Sequence, residues 1–293
     1  CAIDISKAYN KCNHFALFTK LMEGNIPSQL LAVLENWFSN CWTCVKWGLS
    51  TSDFFKIDYG VRQGSVLSPY LFAVVIDSIA RLSTFGQAFL IVLYADDILL
   101  LSPSVCDLQK LFSKCETILS TLDMAINTKK SCCIRIGPRC DSVCDNILSK
   151  SGSALPWVNE IRYLGISIVK SRIFKCDTSC AKRAFYKSLN AVFGKVGRIA
   201  SEEVVLELVS KKCMPVLLYG LEVCPLTVTD KKSLDFPVTR FLMKLFNTVN
   251  MDVINLCRNN FGFALPSERL VARVDKFLVK YACSENIFCS VYN

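Results

Sequence analysis

One histidine stands in 293 residues. Zinc centres that draw on Cys/His pairs are therefore starved of imidazole. Cys41-x-x-Cys44 has no second pair at zinc-ribbon spacing, and Cys140-x₃-Cys144 and Cys176-x₃-Cys180 do not supply one. No apolar run reaches the ~18 residues of a membrane span. Asp77 and Arg81 break one candidate run, and Asp96 and Asp97 break the other. The residues show no signal-peptide pattern, internal repeat or low-complexity tract. Acids are also scarce, 25 against 34 Lys and Arg, for a net charge of +9.

Such a balance favours polyanionic partners. The excess is uneven, with Lys170, Arg172, Lys175, Lys182, Arg183, Lys187, Lys195 and Arg198 facing a single intervening acid, Asp177. Seventeen cysteines form an odd set in a chain long enough to bury a sizeable core. They read as reduced, small buried hydrophobes rather than a disulfide scaffold.

The sequence turns on Phe89-Leu90-Ile91-Val92-Leu93-Tyr94-Ala95-Asp96-Asp97-Ile98-Leu99-Leu100-Leu101. Two short apolar runs, each of buried-strand length, flank adjacent carboxylates, which predicts a hairpin with Ala95-Asp96-Asp97 at the tight turn. Burying either Asp unpaired costs several kcal/mol, so solvent, a basic side chain or a metal must compensate. A second acid, Asp4, lies in Cys1-Ala2-Ile3-Asp4-Ile5, a strand-like run just before a helical stretch. If the strands pair, Asp4 and Asp96 meet at one sheet edge. Carboxylates crowded there repel, and hard divalent cations such as Mg²⁺, which also recruit phosphates, remove the conflict.

In order along the chain come Asp4-x-x-x-Ala8-Tyr9, Arg62-Gln63-Gly64-Ser65-Val66-Leu67-Ser68-Pro69, Tyr94-Ala95-Asp96-Asp97, Asn127-Thr128-Lys129-Lys130-Ser131 and Tyr163-Leu164-Gly165. Together they resemble the reverse transcriptase domain of non-LTR (LINE-type) retrotransposons, relatives of group II intron and telomerase polymerases. The resemblance implies an α+β polymerase palm at 1–170, with a small antiparallel sheet backed by helices. An all-helical, thumb-like region follows at 171–293, and the fingers are largely missing. It implies RNA-directed DNA synthesis: nucleotidyl transfer to a primer 3′-hydroxyl on an RNA template, through two Mg²⁺ ions about 4 Å apart, or Mn²⁺ in their place. The implied partners are an RNA template, a DNA primer and deoxynucleoside triphosphates, with no membrane. The implied location is intracellular, in nucleus or cytoplasm. A catalytically inactive nucleic-acid-binding relic and a group II intron maturase-like protein are the alternatives.

Residue by residue, the resemblance makes Asp4 and Asp96 metal ligands, with Asp97 contributing and the Ile5 carbonyl within reach. Tyr9 becomes the aromatic that blocks the ribose 2′-hydroxyl, where most relatives carry Phe. Asn10 departs from the usual Asp. Arg62, Gln63 and Gly64 line the nucleotide pocket. Lys130, or Lys129 beside it, protonates departing pyrophosphate. Tyr163, Leu164 and Gly165 grip the primer end, and Lys182, Arg183, Lys187, Lys195 and Arg198 track the nucleic-acid backbone. The chain begins on the strand bearing Asp4, so a longer parent polypeptide is expected, with weak activity from this part alone.

The remaining pattern predicts a helix ending at Gly24 as a left-handed stop and a second helix capped by Ser28. Strands are expected over 41–49, 53–59, 131–136 and 161–168. Pro69 suits a helix first turn, and Pro103-Ser104-x-x-Asp107 starts another helix. From about 175 the reading is all helical, including 201–214, 230–246 and 267–282. Phe185, Leu189, Val192, Val196 and Ile199 mark one apolar face.

Overall fold

The computed structural model describes residues 1–82, 89–197, 199–285 and 289. It mixes helices with small antiparallel sheets and parts into two compact units, 1–135 with 141–161 and 136–140 with 162–293.

The first unit opens with β1 (Ala2–Asp4), a 3₁₀ turn (Tyr9–Lys11), α1 (His14–Glu23) and α2 (Ser28–Ser39). Four two-residue strands follow, β2 (Trp42–Thr43), β3 (Lys46–Trp47), β4 (Ser50–Thr51) and β5 (Phe55–Lys56), paired β2 with β5 and β3 with β4. Next come α3 (Ser68–Ala80), β6 (Leu90–Tyr94), β7 (Asp97–Leu101), α4 (Val105–Thr121), β8 (Ile147–Leu148) and β9 (Ala154–Leu155). The central sheet has the order β1-β7-β6, all antiparallel, with Ile3 opposite Ile98 and Asp4 opposite Asp97.

Alternation fixes that register. Ile3, Ile98 and Leu100 are buried with Phe72, Val75, Ile76 and Ile79 of α3 and with Leu111, Phe112, Cys115 and Leu119 of α4. Each such side chain contributes about 1.5–3 kcal/mol by leaving water. A one-residue slip would turn the aspartates inward and the isoleucines outward, at the cost of all of it.

The second unit contains the latter half of β10 (Glu160–Tyr163), whose first two residues belong to the first unit, then β11 (Ile166–Val169) and β12 (Cys176–Asp177), in the order β10-β11-β12. The helices are α5 (Ser179–Val196), α6 (Glu202–Leu208), a π-helical turn (Val209–Cys213), α7 (Met214–Leu217), α8 (Val228–Leu245), α9 (Met251–Asn260) and α10 (Pro266–Ala282). Their core gathers Phe185, Leu189, Val205, Val209, Met214, Leu217, Val238 and Leu242. No helix among the described residues is long and apolar enough to cross a membrane.

Local details depart from the sequence reading. The left-handed residue after α1 is Asn25 (φ +54), while Gly24 sits at φ −79; an asparagine tolerates that region because its side chain hydrogen-bonds locally. Ser28 is the first helical residue, preceded by Pro27, and does not cap. Cys132 and Cys133 make single bridges to Ala2 and Trp157 instead of a strand over 131–136. β12 interrupts the helical stretch, being too short to leave a periodic signal. Ile199 lies beyond the end of α5 and is 88% exposed. Cys12, Cys115, Cys133 and Cys213 are fully buried thiols, and burial pushes those of Cys12 and Cys115 up to about 11 and about 12.

Gly60 needs both its φ of +88 and its missing side chain, because a Cβ there would lie 2.9 Å from the carbonyl oxygens of Tyr9 and Asn10. Gly64 shares the positive φ (+83) but has open space around it. Gly60→Ala should therefore cost about 2–4 kcal/mol and Gly64→Ala about 1 kcal/mol in urea unfolding. Equal losses would mean that the backbone does not press on Gly60.

Candidate active site

The β6–β7 hairpin turns on two residues. Tyr94 pairs with Asp97, leaving Ala95 and Asp96 as the loop. Ala95 takes φ +52, a left-handed conformation that costs a non-glycine residue roughly 1–2 kcal/mol. This tight reversal makes Asp97 the first residue of β7 and sets it across from Asp4, the last of β1. Directly opposed residues of an antiparallel pair share a face. The two carboxylates therefore stand together on the side away from Ile3 and Ile98, with Asp96 next to them in the turn.

Electrostatics report the crowding. The carboxyl of Asp97 is raised above its ordinary range, first by partial burial, then by the charges of Asp96 and Asp4. The Tyr9 phenol is raised too, by burial and then by the charge of Asp96. Lys130 stands against the cluster, its Nζ 3.9 Å from Asp4 Oδ2, with both side chains open to solvent. That is a loose pair.

The strand end is clamped from behind. The Asp4 N–H donates to Ser131 Oγ (3.1 Å), and the Asn127 N–H donates to the Asp4 carbonyl (2.9 Å). Ser131 is fully buried, and its own N–H and that of Lys130 close a turn onto the Asn127 carbonyl (2.9 and 3.1 Å). One turn thus holds the strand bearing Asp4 and presents Lys130 beside it.

Tyr9 stacks on Phe72 of α3, ring centroids 4.7 Å apart and planes 24° from parallel. Its carbonyl accepts from Val61 N–H (2.8 Å), the Cys12 carbonyl accepts from Gly60 N–H (2.8 Å), and His14 Nε2 donates to the Gly60 carbonyl (2.8 Å). The next residues, Arg62-Gln63-Gly64-Ser65, form a β-turn closed by Ser65 N–H on the Arg62 carbonyl (3.2 Å), with Gly64 at the position that needs positive φ. Arg62, Gln63 and Asn10 are exposed. Asp4, Tyr9, Gln63, Asp96, Asp97 and Lys130 thus all belong to the first unit.

The second unit holds the rest. Leu164 (φ +46) and Gly165 (φ +83) form the two-residue turn between β10 and β11, both left-handed as a type I′ turn requires. A Cβ on Gly165 would come within 2.9 Å of the Tyr219 ring. On α5, Arg183, Lys187 and Lys195 are exposed, whereas Lys182 donates to Ser233 Oγ (2.7 Å) and joins α5 to α8. Arg198 lies outside the described residues. His14, Phe72 and the Ser131 hydroxyl were not singled out by residue type. A lone histidine or a core phenylalanine carries no motif, and only the contacts give them roles.

The family profile described as "Reverse transcriptase (RNA-dependent DNA polymerase)" matches residues 1–168. The chain belongs to the reverse transcriptase family. Among its relatives, a retrovirus-related Pol polyprotein from the type-2 retrotransposable element R2DM of Drosophila melanogaster is 26% identical over 60% of this chain and 18% of its own length. The RNA-directed DNA polymerase of the mobile element jockey of Drosophila funebris is 26% identical over 63% of this chain and 21% of its own. A Pol polyprotein from the type-1 element R2 of Popillia japonica is 23% identical over 84% and 42%. The chain thus spans less than half the length of these relatives. Apo telomerase of Candida tropicalis superposes with a TM-score of 0.46 at 14% identity, over 84% of this chain and 41% of that one.

For a reverse transcriptase the donor set suits a divalent cation. Among the described residues no group of three or more His, Cys, Asp or Glu side chains stands ready to hold a metal. Mg²⁺, however, is commonly held by one or two carboxylates completed by substrate phosphates and water. The opposed Asp4 and Asp97 supply that number, and their mutual repulsion is what a cation would relieve.

Between the ordinary carboxylate value of 3.8 and its raised native value, Asp97 binds more protons folded than unfolded. Its contribution to stability therefore falls as pH rises through that window, and the cost persists in full above it. In metal-free buffer Asp97→Asn should raise Tm at pH 7 and give no gain below pH 3.8. The same shift at both pH values, by calorimetry, would mean that burial and the neighbouring charges do not raise the Asp97 carboxyl.

Proposed function

We propose that the chain is the RNA-directed DNA polymerase segment of a non-LTR retrotransposon polyprotein, extending a primer 3′-hydroxyl with deoxynucleotides on an RNA template. The observation that carries this reading is the opposition of Asp4 and Asp97 at the end of a three-stranded sheet, with Asp96 in the adjoining turn. In this reading the first unit is the palm and the second the thumb.

Asp4 and Asp97, with Asp96 beside them, would hold Mg²⁺. When bound, the metal lowers the pKa of the primer hydroxyl and neutralises charge building on the phosphates. The protein's own residues do the rest. Tyr9, braced by Phe72, walls the sugar site and leaves no room for a 2′-hydroxyl. Arg62 and Gln63, on a turn tied to the Tyr9 backbone, offer donors to the incoming triphosphate. Lys130 Nζ, near Asp4, gives its proton to the departing pyrophosphate oxygen. The Tyr163-Leu164-Gly165 turn supports the primer end, and Arg183, Lys187 and Lys195 contact backbone phosphates without reading sequence.

Primer extension on an RNA template, with the segment in its parent polyprotein, should show Mg²⁺-dependent incorporation. Asp97→Asn should lower it about 10²-fold or more without loss of folding. Incorporation that survives Asp97→Asn would remove the catalytic reading and leave a nucleic-acid-binding protein.

A further inference from the structure

Within the second unit, α5 and α8 part to leave a cavity of about 460 Å³, lined by none of the site residues named above. Its floor is apolar: Leu189, Phe193, Phe241 and Met243. Its polar rim is made of Tyr186 and Asn190 from α5 and Arg240 and Lys244 from α8. Phe193 meets Phe241 edge-on (6.3 Å), and Lys244 Nζ stands 4.6 Å from the Phe193 centroid, which holds the ammonium over the opening. Among the described residues no carboxylate lines the cavity.

Each feature narrows the occupant. Two cations without an acid select an anionic ligand. The apolar and aromatic floor selects one with a flat apolar body. The half-exposed phenol of Tyr186 and the Asn190 carboxamide offer donors and acceptors to a ring edge. A planar heterocycle tethered to phosphate meets all three demands. The volume exceeds what one base fills and leaves room for its sugar.

We propose that this cavity takes one unstacked nucleotide of a single strand, its base against the Tyr186 and Phe193 side and its phosphates on Arg240 and Lys244. A duplex cannot use the site, because its bases stay stacked inside the helix. The site is therefore selective for the unpaired strand. It deepens the polymerase reading by giving the second unit a hold on nucleic acid outside the primer–template duplex, and it rests on that reading for its purpose.

The test is binding of the full chain to fluorescent rU and dT oligonucleotides, and to a blunt RNA–DNA hybrid, across a salt series. Arg240→Glu and Lys244→Glu should each weaken single-strand binding about tenfold, and each should lower the salt slope by about 0.7 per lost phosphate contact. Hybrid binding should move less than twofold. Lys110→Glu, an equal charge change on α4, should leave single-strand binding unaltered. Asn190→Ala, which changes no charge, should weaken single strands while preserving the slope. The rU and dT arms decide whether the sugar matters. Equal weakening of hybrid and single strand, or a Lys110→Glu effect as large as that at Lys244, would overturn the proposal in favour of general attraction. Loss of the polymerase reading would show in primer extension by the unaltered chain, and loss of the cavity reading in the binding series alone.

Discussion

Like charges forced together at the end of a sheet are the constraint on which the first unit depends. Asp4 and Asp97 face each other across β1 and β7, and Asp96 sits one residue away. Left to itself the arrangement is unfavourable: partial burial first, and then the charges of Asp96 and Asp4, raise the proton affinity of Asp97. It persists because Ile3, Ile98 and Leu100 lock the register from the opposite face, where helices α3 and α4 cover them. The buried Ser131 hydroxyl and the Asn127 amide hold the backbone of Asp4 at its place. The strained Ala95 shortens the turn so that Asp97, rather than a spacer, begins the strand. Packing energy is thus spent on holding a cluster that only a cation or a proton can satisfy.

The region proposed above for the nucleotide is assembled from backbone contacts more than from side chains. Gly60 presses onto the carbonyls of Tyr9 and Asn10, and Val61, Cys12 and His14 complete the join. The single histidine is thereby accounted for as a brace for this loop. The result ties the backbone at Tyr9 to the turn bearing Arg62 and Gln63.

Much of this could be read from the residues, and the reasons it could differ from element to element. The hairpin at 90–101 declared itself because two apolar runs flank acids that cannot be buried. Pro69 and Ser104 marked helix starts because their local chemistry fits few other positions. The register was beyond reach. Residue type groups Asp4, Asp96 and Asp97 at one sheet edge, and only the two-residue turn shows that Asp97 stands opposite Asp4 with Asp96 in the loop. A shift of one residue leaves no compositional trace. The four two-residue strands between Trp42 and Lys56 were blurred into two, since pairs that short have no period. Phe72 and Ser131 act through contacts made at distances of 63 and 127 residues, which only the fold can reveal.

If Asp4 and Asp97 together hold the cation proposed above, electron paramagnetic resonance of bound Mn²⁺ will show it. The chain should bind Mn²⁺ in the presence of a triphosphate, and Asp4→Asn and Asp97→Asn should each abolish that signal while the fold survives. Unchanged Mn²⁺ binding in either variant would mean that the two carboxylates do not act together, and the account of the site would fall.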